Sequence, residues 1–172
     1  MVTMDEQHHR ALFKKYFDVF GDKVLEEVIQ ENVIQFRIQR GAFYFIISSI
    51  DAKPLCEIVY PCPFDREEDI VVLSGLIRDP GFLLEFRKLV TAPDILYTFD
   101  IKNGQFNGFS ILSRIYKKPG EITLDELSHT IMNVMNYGIL AGTFISVKTG
   151  KTDVGQKYIP ADQKNIDNPM FY

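Results

Sequence analysis

Residues able to do chemistry are few and scattered in this chain. His8 and His9 follow Asp5 and Glu6, and on a helix Asp5 and His9 share a face at i and i+4. A carboxylate and an imidazole at that spacing can begin a metal site, which needs further ligands to close. A solvated first turn accounts for the same residues, and no metal or cofactor is assigned to them. His129 stands four residues after Asp125 and could serve as a pH-sensitive or catalytic imidazole, although a surface ion pair explains the spacing better. Cys56 and Cys62 sit six positions apart in LCEIVYPC, with no histidine close in sequence to complete a zinc tetrad. They read as small hydrophobes, both buried or one exposed at a bulge, kept reduced in a cytosolic setting.

Phosphate chemistry is excluded on similar grounds. Gly150-Lys151-Thr152 has the end of a P-loop, but Ile145 stands where the first glycine is required, and a helix precedes it instead of a strand. Gly104 and Gly108 do not complete a dinucleotide fingerprint. Neither a Gly-x-Ser-x-Gly elbow nor a His-Glu-x-x-His helix occurs, so no catalytic residue is assigned.

Basic residues gather at one strand end, where Arg114, Lys117 and Lys118 surround Tyr116. Arg37 and Arg40 line the wet face of an earlier strand. Were those strands adjacent, a basic patch with an aromatic could bind single-stranded nucleic acid or an acidic peptide. Composition argues against nucleic acid: 172 residues carry 19 Lys+Arg against 23 Asp+Glu, a net charge of −4. An ordinary charged sheet face is the preferred reading.

The elements that would position these residues follow from periodicity. Leu12, Phe13, Tyr16, Phe17 and Phe20 form one apolar face of a helix over 4–20, ended by Gly21, with Val24 to Ile29 adding a short further turn or two. Ile34, Phe36 and Ile38 alternate with polar residues as in a half-buried strand. Phe43 to Ile50 is nearly continuous in apolar residues, as in a central strand covered on both faces. Leu55 to Tyr60 is a further strand, with Pro61 and Pro63 marking its end or edge. After the solvated stretch FDREED, Ile70 to Ile77 reads as a strand.

Asp79-Pro80 opens a helix, as N-cap and first helical residue, and Pro93 stops it. Residues 95–101 and 106–116 are strands joined at Asn103-Gly104. Thr123 and Glu126 form a capping box for a last helix reaching about Val147. Its segment Ile131 to Val147 is 17 residues long, at the short limit of a membrane span, and contains Asn133 and Asn136. A helix buried against a protein sheet explains it without a membrane. MVTMDEQHHR shows no signal pattern and no Asn-x-Ser/Thr sequon occurs, which is consistent with an intracellular chain, and a cytoplasmic location is the expectation. Gly138 and Gly142, one turn apart, give the last helix a bare patch. With Ile139 and Ile145 they are a candidate interface, although the glycines could equally let the helix settle on its own sheet.

IVVLSGLI with the helix after it, FSILSRIY, and ITLDELSHTIMNVMNYGILAG together resemble a family of small archaeal proteins of unassigned function. Families of that shape are similar in fold to the type III secretion chaperones, compact domains that commonly dimerise and bind extended polypeptide segments. The resemblance spans about residues 70–147. It departs at LCEIVYPCPF and at the long C-terminal tail, and its motifs define no functional residue to carry over.

The expected fold is therefore α+β, an antiparallel sheet with flanking helices in the order helix, three or four strands, helix, two strands, long helix. Residues 1–148 form one domain and 149–172 a polar tail or docking arm. The resemblance implies a non-catalytic, chaperone-like module, a homodimer that binds a polypeptide partner. The alternative is a small-ligand-binding protein or enzyme with a pocket between sheet and helices.

Overall fold

The computed structural model describes residues 4–30, 33–50, 54–64 and 67–150. Helix α1 (Met4–Phe20) leads into four strands, β1 (Lys23–Gln30), β2 (Val33–Arg40), β3 (Phe43–Ile50) and β4 (Leu55–Pro63). Helices α2 (Glu67–Leu76) and α3 (Pro80–Val90) follow, then strands β5 (Leu96–Lys102) and β6 (Gln105–Ile115). A 3-10 turn at Pro119–Glu121 precedes the long helix α4 (Leu124–Thr149). The fold is α+β, as the residue pattern implies, with one six-stranded sheet in the order β1-β2-β3-β4-β6-β5. Every neighbouring pair is antiparallel.

The core lies on one face of that sheet. Phe13 and Phe17 of α1 pack their rings on Phe36 of β2, with centroids 5.8 and 5.2 Å apart. Phe86 of α3 meets Phe109 of β6 and Phe144 of α4 at 5.9 and 6.1 Å. Aromatic pairs of this kind bury large apolar area and fix the angle of approach. Gly138 of α4 sits directly over Tyr60 of β4, where a Cβ would come within 2.4 Å of the ring. The helix needs glycine there to approach the sheet closely. Ser74 of α2 accepts a hydrogen bond from the Phe106 amide at 2.8 Å, which ties that helix to the start of β6.

Local signals set most boundaries. Asp79 accepts from the Gly81 amide at 2.9 Å and caps α3 ahead of Pro80. Asn103 and Gly104 both take positive φ, 53° and 76°, as a tight two-residue hairpin turn between β5 and β6 requires. Thr123 accepts from the Glu126 amide at 3.2 Å, but the reciprocal arm of the capping box is replaced. The Glu126 carboxylate takes Lys117 instead, at 2.9 Å.

Two expectations are corrected. Residues 24–29 belong to β1 and do not extend the first helix, because pairing with β2 holds them extended from Lys23↔Gln39 to Gln30↔Val33. Residues 70–76 form most of α2 and Ile77 the turn after it, so this segment is not a strand. Glu67, Glu68 and Asp69 supply negative charge to its first turn, and the Ser74 hydroxyl donates to the Ile70 carbonyl one turn back. Only Leu73 of this helix is buried, while Val71 and Val72 face solvent, so its apolar residues follow no helical stripe.

Among the described residues, strand β3 is also not covered on both faces by helices. Phe45 and Ile47 point to the core, while Tyr44 and Ile46 are only half-buried on the other side. The expected domain boundary at 148 falls in the last turn of α4, and residues 151–172 lie outside the described residues.

Candidate functional site

Strand β6 runs out beside the first turns of α4, and the two leave a cleft of about 410 Å³ between them. Its walls are Asp94, Ser113 to Lys117, and Glu126, His129, Thr130 and Asn133 on the helix. Three of the four residues expected to form a basic patch, Arg114, Tyr116 and Lys117, line it, and Lys118 stands exposed just beyond. Their charge is offset locally. Arg114 donates to Glu57 of β4 at 2.8 Å, and Lys117 donates to Glu126 at 2.9 Å. Its hydrogen bond to the Glu57 carboxylate holds the Arg114 guanidinium more firmly protonated than usual, and its burial opposes this only in part.

Arg37 and Arg40 do not join this group, because β3 and β4 separate β2 from β6. Arg37 pairs with Glu26 at 3.2 Å, and Arg40 makes two 2.7 Å bonds to Asp22. A continuous basic surface therefore does not form from these two groups. The His129 Nε2 lies 3.1 Å from the side-chain nitrogen of Asn133, one turn further along the helix. An imidazole, an amide, an ammonium and two carboxylates in one cleft can hold a small polar molecule. The Thr130 hydroxyl is spent on the Glu126 carbonyl at 2.8 Å and is not aimed at His129.

The other groups singled out by spacing fall elsewhere. Among the described residues, no cluster of three or more His, Cys, Asp or Glu could hold a metal ion, and the side chain of Asp5 lies outside them. His8 is exposed and His9 half-buried on α1. Gly150 caps the end of α4 with φ 67°, and Lys151 and Thr152 lie outside the described residues.

Cys56 and Cys62 are both buried on the core face of β4. Six residues of strand put them about 20 Å apart, far beyond disulfide reach. Burial pushes the Cys56 thiol up to about 12 and raises Cys62 as well, so neither is a thiolate nucleophile at neutral pH. Gly138, Gly142 and Ile145 of the candidate interface face the core, whereas Ile139 faces outward.

A second surface was invisible in the sequence. The ring contacts of α1, α3 and α4 all fall on one face of the sheet, and no described helix packs on the other. Register aligns one row of side chains across that open face: Glu26↔Arg37, Arg37↔Ile46, Ile46↔Val59, Val59↔Leu112 and Leu112↔Leu96. The row is an ion pair at the β1 end and four apolar side chains at the β5 end. The next row pairs Glu57 with Arg114. Strand β5 is an edge, with Leu96 47% exposed at the end of the apolar row and Ile101 52% exposed further along. Alternation within β3 and β4 was masked because both of their faces carry apolar residues.

The sequence matches no protein-family model and no curated protein. Among solved structures, the fold is similar to that of an uncharacterized protein from Methanothermobacter thermautotrophicus. That match has 16% identity and a TM-score of 0.66, and it covers 81% of this chain and 98% of that one. A looser likeness links it to YbjN from E. coli, described as a candidate transcription regulator. There the identity is 9% and the TM-score 0.48, over 82% of this chain and 92% of that one, too loose to carry an argument. At these identities the archaeal neighbour shows a shared fold and leaves activity open.

Proposed function

We propose that this protein is a non-catalytic, cytoplasmic interaction module that binds an extended polypeptide by adding it as a strand at the β5 edge. The observation that supports this most directly is the row Ile46–Val59–Leu112–Leu96, which ends at an edge strand with no described strand beyond it. A strand laid against β5 would continue the row, so its backbone supplies affinity and its alternate apolar side chains supply specificity. The chaperone-like role expected from the sequence resemblance fits the same surface, since such domains bind extended segments.

Fluorescence anisotropy with labelled peptides of alternating Val and Thr, against a Lys/Glu control, tests the reading. The Val/Thr peptide is expected to bind and the control not. Leu96→Lys should weaken binding about tenfold or more, from loss of one leucine contact. No difference between the peptides, or no effect of Leu96→Lys, would overturn it.

The cleft between β6 and α4 favours one second reading, a site for a small polar ligand. Its mark would be a ligand whose binding is lost in Asn133→Leu and kept in Leu96→Lys.

A further inference from the structure

Helix α4 is apolar on two faces. Leu127, Ile131, Val134, Gly138, Ala141, Gly142 and Ile145 face the core. On the opposite side Met132 and Ile139 are each 40% exposed, Leu140 42% and Val147 74%, with Asn136 and Thr143 exposed between them. The spacings of 4, 3, 1, 3 and 4 place all six on a single stripe about 22 Å long. No Asp, Glu, Lys or Arg occurs from Leu127 to Val147. By length and composition this helix could cross a membrane, with 39% of its apolar window buried inside the fold. Packing among the described residues thus leaves the outer stripe exposed.

The stripe reads the same from both ends: apolar, polar, apolar, apolar, polar, apolar, with its midpoint between Ile139 and Leu140. A twofold axis through that midpoint, perpendicular to the helix, sets two copies of α4 antiparallel and matches the pattern to itself. Met132 then faces Val147 of the other copy, Ile139 faces Leu140, and Asn136 faces Thr143. Apolar groups meet apolar groups, and the Asn136 amide can hydrogen-bond the Thr143 hydroxyl. A polar residue in an otherwise apolar helix seam specifies register, because any slip leaves it facing hydrocarbon. The helix ends are compatible with the arrangement. Asp125 and Glu126 lie in the first turn and Lys148 in the last, and the antiparallel arrangement sets the two helix dipoles in opposition.

We infer that the outer stripe of α4 is an isologous interface, and that its occupant is a second copy of this chain in the antiparallel register centred between Ile139 and Leu140. This places the interface on the face of α4 opposite Gly138 and Gly142. It leaves the open sheet face and the β5 edge free, so this inference and the polypeptide-binding reading can fail separately.

Sedimentation of the full chain is the first test. A dimer is expected, and Ile139→Glu should weaken it by at least about 100-fold, since the twofold places two unpaired charges in the seam. Its circular dichroism should stay unchanged, because Ile139 is outward-facing in the monomer. The register has its own test. Asn136→Cys/Thr143→Cys should form a disulfide-linked dimer under mild oxidation, while Asn136→Cys alone should not, its partner cysteine lying about 10 Å away along the helix. A monomer at all concentrations, a dimer unaffected by Ile139→Glu, or crosslinking by the single variant would overturn the inference. So would a monomer that binds lipid vesicles through this stripe.

Discussion

Asp22 shows how single residues hold the first part of the sheet in place. Its side chain is fully buried at the α1–β1 turn and takes both 2.7 Å bonds from Arg40, whose guanidinium also lies 4.8 Å from the Phe20 ring centre. Removing the cation strands a buried carboxylate, so Arg40→Ala should destabilise the fold by about 3 kcal/mol in urea unfolding. Asp22→Asn/Arg40→Gln should recover part of that loss.

Glu27 offers a pH test at the same scale. Burial works to raise its carboxyl, but Arg10 and Lys14, each bonded to it, outweigh burial and hold it below its usual value. A carboxyl depressed in the folded state stabilises fully above its unfolded pKa and loses that contribution as pH falls through the folded value. Wild type and Glu27→Gln should therefore differ in urea midpoint at about pH 6 and converge towards about pH 3. A gap that widens on acidification would contradict the pairing. Tyr16 and the two thiols were legible as core from their spacing and type. The Tyr16 bond to the Ile122 carbonyl at 2.7 Å was not, since it joins residues 106 positions apart.

At the scale of elements, capped and periodic segments were readable and uncapped ones were not. Asp79-Pro80, Asn103-Gly104 and Thr123 each settle a boundary by chemistry confined to a few residues. Ile70 to Ile77 misleads because its β-branched residues suggest a strand, while the acidic first turn and the tie from Ser74 to β6 decide for a helix. Tertiary contact overrides propensity in such short runs. Residues 24–29 mislead for a related reason, since only β2 makes them a strand.

Helix α4 carries a sharp prediction of its own. At Gly138 an added methyl would gain up to about 1 kcal/mol of helix propensity. It would also collide with the buried Tyr60 ring, a clash that typically costs about 1–3 kcal/mol. Gly138→Ala should therefore be net destabilising by thermal melt, and Tyr60→Leu should relieve much of the cost. A stabilised Gly138→Ala would place the helix farther from the sheet than described.

For the molecule as a whole, the described helices leave two surfaces without a helix packed on them, one on the sheet and one on α4. Neither was legible as a site. The sheet row exists only through the register of five strand pairs. The outer stripe of α4 was hidden in a run apolar enough to suggest a single buried helix, and the glycines drew notice to its other side. Even the basic cluster at 114–118 required the fold to show that Glu57 and Glu126 offset it.

Binding of an extended polypeptide at β5 is the central claim, and amide hydrogen exchange with and without the Val/Thr peptide tests it most directly. Slower exchange of amides in β5, residues 96–102, on adding the peptide is the predicted result, with α1 and β1 unchanged. Binding that leaves β5 unprotected, or that protects the cleft residues 113–133 instead, would contradict it.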